Sequence, residues 1–194
     1  MRASREVKAQ HHDTIVAAAA KMLRRCGIDR TSVVDLMRAS GLTHGGFYRH
    51  FKSKDQLVAQ STQNIFQALV STFQARAAKT GARAALVAYV DEYLCDRHVK
   101  TPAEGCAVAA YGAEAARESG MVRKAFADGM DRLLALVEDG MPGPKEQRRA
   151  RALELQAMMA GAVVMARAAG NATFAHEILD VARQRAARMI DATR

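Results

Sequence analysis

The chain has 194 residues, 49% of them hydrophobic, enough for one or two compact domains of about 100–150 residues each without disulfide or metal staples. No run of about 18 apolar residues occurs, and the polar start MRASREVKAQHHD lacks the apolar centre of a signal peptide, so a cytoplasmic protein is expected rather than an exported or membrane-spanning one. The net charge of +9 is uneven: residues 1–55 hold 11 Lys and Arg against 5 Asp and Glu, the other 139 hold 18 against 15, and this points to a polyanionic partner at the N-terminal end.

A first helix is predicted over about Arg5 to Cys26, with Ile15, Ala18, Ala19, Met22 and Leu23 on one stripe and Gly27 as its stop. Thr31 or Ser32 offers an N-cap for a short helix with Val33, Leu36 and Met37 inward, ended by Gly41, and a second short helix begins around Thr43. Ser53 caps a long helix that carries Leu57, Ile65, Leu69 and Phe73 to about Lys79; at about 1.5 Å per residue it is long enough to join two domains. Further helices are predicted over about Arg83–His98, Glu104–Arg117, Met121–Asp139, Lys145–Gly170 and Phe174–Thr193. No stretch alternates strictly enough for a strand, so the expected fold is all-α with about nine helices. Ala157, Ala160, Gly161, Ala162 and Ala166 are small enough for a neighbouring helix to approach closely, and Phe174, Ile178, Val181 and Met189 give the last helix an apolar face.

The two short helices and the tight turn Ser40-Gly41-Leu42 between them have the spacing of a helix-turn-helix, in which the second helix enters the DNA major groove. Gly41 supplies the positive φ of the turn, and Leu42 can wedge between the helices. The second helix offers Thr43, His44, Gly45 and Tyr48 on its exposed face. Thr43 and His44 are the candidates for base edges, because a threonine hydroxyl or methyl and an imidazole N–H can each read one. Gly45 and Gly46 each cost a helix about 1 kcal/mol relative to alanine. Close approach of the backbone to DNA, or tight packing on the first helix, would account for them. Thr31 is a phosphate candidate with capping as the alternative role, and Arg49 is either a DNA contact or a solvated charge. Arg2, Arg5 and Lys8 read as a basic arm able to reach the minor groove, or as a tail. Phe47 and Phe51, spaced i and i+4, read as core.

From about Thr14 to Ala59 this string resembles the N-terminal domain of the tetracycline-repressor (TetR) family. The likeness lies in the Ala-rich first helix ending in Gly27, Thr31-Ser32-Val33, Gly41-Leu42, Gly46-Phe47-Tyr48-Arg49-His50-Phe51 and Lys54-Asp55-Gln56-Leu57, in order and spacing. It implies a helix-turn-helix DNA-binding domain over 1–52 and a helical sensing and dimerisation domain over 53–194. It also implies DNA-backbone contacts from Tyr48 and Lys54. A phenol can donate to a phosphate oxygen, and a lysine at a helix start adds charge where backbone N–H groups already favour anions.

In the second domain Phe66, Leu69, Phe73, Tyr89, Tyr93, Tyr111, Met158 and Met165 could line a ligand cavity or simply fill the core. Cys106 follows Glu104-Gly105 at a helix start, where the dipole favours a thiolate, although Glu104 opposes it. The string Gly105-Cys106-Ala-Val-Ala-Ala with Glu114 also resembles a branch of the family in which a Gly-Cys pair opens the sixth helix, and in some of whose members the cysteine reacts with electrophiles or oxidants. A buried thiol acting as a small hydrophobe is the other reading. Cys26 and Cys95 are assigned to packing, and His98 is expected to be exposed. The three cysteines form no CxxC pair and no metal spacing, so neither a metal nor a cofactor is expected.

These features predict a ligand- or electrophile-responsive regulator, a repressor by default, that binds a palindromic operator as a homodimer through its last two helices and is released by a small-molecule inducer. A thiol-dependent enzyme built on Cys106 is the rival, but no histidine or acid is placed as partner to the thiol. A sequence-indifferent DNA-packaging protein fits the charge and leaves the apolar C-terminal two-thirds without a role.

Overall fold

The computed structural model describes residues 2–41 and 44–191, and the side chains of all of these except 2–5, 44 and 45. In chain order the helices are α1 (Arg2–Cys26), α2 (Val33–Ala39), a 3-10 helix (His44–Arg49), α3 (Lys54–Thr80), α4 (Ala82–Tyr93), α5 (Asp96–Lys100), a second 3-10 helix (Pro102–Glu104), α6 (Ala107–Ala115), α7 (Gly120–Gly140), α8 (Lys145–Ala168) and α9 (Ala172–Asp191). No strand occurs among the described residues, and the all-α class is as expected. No helix among them is long and apolar enough to cross a membrane.

The chain forms two compact units, Met1–Phe66 with Cys106–Gly129, and Gln67–Gly105 with Met130–Arg194. In the first, α1 packs on α2 and α6. Ile15, Val16, Ala19, Leu36, Met37, Phe47, Phe51 and Leu57 form its core, with Met22 and Val33 half-buried against it. Gly27 closes α1 at φ +83°, its N–H on the Leu23 carbonyl at 2.9 Å. The N-cap of α2 is Ser32, whose Oγ accepts from the Asp35 N–H at 3.1 Å. Ser53 caps α3 in the same way: its Oγ accepts the Gln56 N–H at 3.1 Å, while Gln56 Oε1 reaches back to the Lys52 N–H at 2.7 Å. In the second unit α4 packs on α9, α5 on α8, and α8 on α9. Its core includes Leu86, Val90, Leu155, Met159, Val163, Leu179 and Ala186.

Four sequence expectations are corrected. The helix expected to begin around Thr43 is a 3-10 helix, consistent with the weak α-propensity of Gly45-Gly46; Thr43 itself, with Leu42, lies outside the described residues. The helix expected over Arg83–His98 breaks at Leu94 (ψ +51°) and Cys95 (φ −127°, ψ 160°), because the His98 ring takes the Tyr93 carbonyl that an uninterrupted helix would have used. His98 is accordingly buried rather than exposed, at 8%. The helix expected over Glu104–Arg117 is shorter, with Cys106 as its N-cap, and it kinks at Tyr111 (φ −145°, ψ 21°).

Candidate nucleic-acid interface

The 3-10 segment is held from one side and open on the other. Phe47 and Phe51 are each 1% exposed, with ring centroids 5.6 Å apart, and they fasten the segment to the core of α1 and α2. Burying two such rings is worth about 1.5–3 kcal/mol each, enough to fix the orientation of the residues between them. Tyr48, set edge-on to Phe47 at 5.2 Å, is 68% exposed, and Arg49 is exposed beside it. Gly46 is half-buried; His44 and Gly45 lie on the same segment, but their side chains are outside the described set. Gly41 ends the preceding turn at φ +71°, the left-handed conformation expected of it.

The α1–α2 connection is pinned from two further elements. The Glu114 carboxylate on α6 accepts the Ile28 N–H at 2.5 Å and the Asp29 N–H at 3.0 Å. A Cβ at Gly27 would fall 2.3 Å from the same carboxylate, so glycine is required there for space as well as for its positive φ. Two successive N–H groups turned toward one anion form a backbone nest, filled here by the chain's own glutamate. Arg117 adds a looser exposed pair with Asp29 at 3.7 Å. Lys54, at the start of α3, donates from Nζ to the Ile28 carbonyl at 2.9 Å, and its remaining donors are not committed by that bond. Thr31 is wholly buried, and its hydroxyl donates to the Gly27 carbonyl at 2.6 Å. That side chain braces the turn and presents no hydroxyl to a phosphate, a correction to the sequence reading. Glu114 figured in the sequence only within the Gly-Cys string, with no role assigned; its nest depends on the fold and not on spacing.

The residues read as ligand-lining fall into two separate groups. In the first unit, Phe66 and Tyr111 each pack T-shaped with Phe126, at 5.5 and 5.8 Å, and the Tyr111 and Thr62 hydroxyls share a hydrogen bond of 3.1 Å. Burial pushes the Tyr111 phenol well above its ordinary range, so it stays neutral. Cys106, in the same unit, is 5% exposed. In the second unit, Tyr89 and Tyr93 lie 5.6 Å apart, and the Tyr89 hydroxyl donates to Gln156 Oε1 at 3.0 Å. Phe73 edges onto Tyr89 at 5.8 Å, Leu69 and Met158 are half-buried, and Met165 is 56% exposed, which removes it as a core lining residue. Among the described residues no three His, Cys, Asp or Glu side chains gather as metal ligands.

Residues 15–60 match the model of the family described as bacterial regulatory proteins, tetR family. Over 66 residues, 34% of this chain, the sequence is 32% identical to the HTH-type transcriptional repressor KstR2 of Mycolicibacterium smegmatis, and the match spans 32% of that protein's length. In fold the chain is similar to reduced NemR of E. coli (TM-score 0.76, 18% identity, 93% of this chain and 97% of that one). It is also similar to a TetR transcriptional regulator from Chloroflexus aurantiacus (0.77, 24%, 96% and 97%). A third likeness is to a TetR transcriptional regulator from Legionella pneumophila (0.79, 14%, 92% and 96%). The family match falls on the stretch that holds the core-anchored 3-10 segment, the glycine turn and the capped start of α3, and over residues 15–60 this chain is similar to the bacterial regulatory proteins of the tetR family.

Proposed function

We propose that the chain is a transcriptional regulator, a repressor, that binds a near-palindromic operator through the segment from Gly41 to Lys54 and releases it when an inducer binds. The observation that carries this reading is Tyr48, held 68% exposed between two phenylalanines that are each 1% exposed. An aromatic hydroxyl fixed outward on a rigid mount, beside exposed Arg49, suits a phosphate oxygen. Residues 1–52 serve as the DNA-binding domain, with Thr43 and His44 as the candidates for base contact, Gly45-Gly46 for close backbone approach, and Lys54 for the DNA backbone. Residues 53–194 serve sensing and dimerisation.

Two recognition segments must stand about 34–36 Å apart to enter successive major grooves, so the working species is a homodimer. Its interface is the outer face of α8 and α9. Leu153, Val164, Met165, Phe174 and Val181 are between 46% and 63% exposed there, and Gly161 has nothing within 4 Å of where a Cβ would stand. An apolar face of that kind, left over after each helix has filled its own core, is what a four-helix dimer bundle uses.

The signal is a small molecule or an electrophile. For the former the candidates are Phe66 and Tyr111 in one unit and Tyr89, Tyr93 and Met158 in the other; for the latter it is Cys106, at the N-cap of α6. Glu114, nine residues past the glycine of that Gly-Cys pair, sits in the turn that precedes α2, and this supports α6 as the path from signal to DNA-binding segment.

The test is binding of the full chain to its own flanking intergenic DNA at roughly 150 mM salt, against scrambled DNA, before and after an electrophile. Tyr48→Phe is expected to weaken binding by about 1.5–3 kcal/mol, roughly tenfold to a hundredfold, and equally for all sequences, because phosphates carry no sequence information. Lys54→Ala is expected to do the same with some loss of stability, since it also frees the Ile28 carbonyl. Retention of full affinity by Tyr48→Phe would remove the central contact from this reading. Loss of binding on treatment in wild type but not in Cys106→Ser would fix the thiol as the sensor.

A further inference from the structure

His11 and His12 lie midway along α1, and His50 immediately follows the segment that carries Tyr48 and Arg49. The fold brings them together. The His50 ring centroid is 6.4 Å from that of His11 and 6.2 Å from that of His12. His12 in turn stacks on Phe51 at 4.7 Å with 23° between the ring planes, so its orientation is set by a core side chain. His11 is exposed, while His12 and His50 are half-buried.

Among the described residues, no acidic group acts on the charge of His50. The groups whose charge acts on His50 are Lys8, His11 and His12 from α1 and Arg49 from its own segment, and every one of them is basic. His50 Nδ1 is buried with no hydrogen-bond partner, so a proton on that atom meets no acceptor. Burial first, and then the repulsion of these neighbours, holds the His50 ring below the ordinary histidine range. An approaching phosphate would supply a negative charge beside these rings and so favour their protonated form.

We propose that His11, His12 and His50, with Lys8 and Arg49, form a phosphate-binding cluster beside the recognition segment, whose occupation by the DNA backbone takes up a proton. The proposal rests on the DNA-binding reading and adds to it a set of residues and a proton stoichiometry. The sign follows from linkage. The phosphate raises the imidazole pKa values, the complex holds more protons than the free protein, and affinity rises as pH falls through the histidine range. Well above that range the rings are neutral in both states and the contribution vanishes.

The experiment measures the affinity of the full chain for duplexes of about 30 bp from its flanking DNA at one fixed salt concentration, from about pH 8.5 to pH 6, by fluorescence anisotropy. Wild type is expected to gain about tenfold more over this range than the variant carrying His11→Gln, His12→Gln and His50→Gln, the equivalent of one group shifted by one pKa unit. Calorimetry of wild type in two buffers of different ionisation enthalpy, near pH 6.5, is expected to count about one proton taken up per protomer. This measurement needs no variant and stands even if loss of the His12–Phe51 stack unfolds the triple substitution; the single change at exposed His11 is a further control. A profile equally flat or equally steep in wild type and variant, or no proton uptake on binding, would overturn the cluster and leave the DNA-binding reading intact. Failure to bind any duplex at any pH would overturn both.

Discussion

Tyr48 and Tyr111 belong to the same compact unit and are used in opposite ways. Tyr48 rides on a 3-10 turn whose two phenylalanines take up the available core, and it is left 68% exposed. Tyr111, at the kink of α6, is 2% exposed and meets the Thr62 hydroxyl at 3.1 Å. A polar tip goes inward only where the fold supplies a partner, because a buried hydroxyl without one costs about 1–3 kcal/mol. At Tyr48 the ring is fixed against Phe47 while most of the residue faces solvent, where a second molecule can reach it. The α1–α2 turn belongs with Tyr111 in this respect: its carbonyl and N–H groups are met from within the chain, by Lys54 and Glu114.

The sharpest break in that inner class is at Gly27. Gly27→Ala places a Cβ in a backbone with φ +83° and 2.3 Å from the Glu114 carboxylate, which must then leave the Ile28 and Asp29 N–H groups. Left-handed backbone costs a non-glycine residue about 1–2 kcal/mol, and unpaired N–H groups add about as much again, so a loss of roughly 2–4 kcal/mol is expected in denaturant unfolding. Glu114→Ala removes the clash but not the strain. The double variant is therefore expected to lose clearly less than the sum of the two singles, and strict additivity would mean that glycine and carboxylate do not share one site.

The two tyrosines give the next contrast. Tyr111→Phe leaves the Thr62 hydroxyl buried without its partner and is expected to cost about 1–2 kcal/mol of stability with no direct effect on DNA affinity. Tyr48→Phe is expected to leave stability within about 0.5 kcal/mol and to act on DNA alone. Paired melting and binding curves for the two variants decide it, and any result in which Tyr48→Phe melts early would move Tyr48 into the structural class.

Much of the first unit could be read from the sequence because its signals are local. Gly27 stops the first helix as expected, Gly41 took the positive φ expected of it, Ser53 caps its helix, and Phe47 and Phe51 at i and i+4 entered the core together. What escaped is what depends on residues far apart in sequence. Glu114 reaches Ile28 across 86 residues, and nothing in the spacing of either predicts the contact. Thr31 stands at a helix start, as a phosphate contact would, but its hydroxyl turns back four residues to a carbonyl while Ser32 does the capping. The histidine pair at 11 and 12 is plain in the sequence, but only the fold brings His50 to it. In the second unit the apolar period marked the helices, yet it ran on through Leu94 and Cys95, where a side chain ends the helix that periodicity would continue.

That side chain, His98, gives the smallest of the expected effects and extends the contrast to the second unit. Its Nδ1–H donates to the Tyr93 carbonyl at 2.7 Å, and its ring stands edge-on to the Tyr93 ring at 4.4 Å. Burial is the main force holding its pKa below the ordinary 6.5; the nearby Arg167 acts in the same direction, and the bond to Tyr93 works against them. A histidine whose pKa is lower folded than unfolded binds more protons when unfolded, so its contribution is complete above about pH 6.5 and is lost as pH falls through the folded value. The melting temperature is therefore expected to hold near neutral pH and to decline below it. His98→Asn can still offer an N–H to the Tyr93 carbonyl but cannot take a proton, so its deficit against wild type should shrink as the solution is acidified. His50 has the same sign and is intact in both proteins, so it cancels in the difference. A deficit that stayed constant with pH would show that the His98 ring is charged as readily inside the fold as outside it, and would return it to the exposed class in which the sequence alone had placed it.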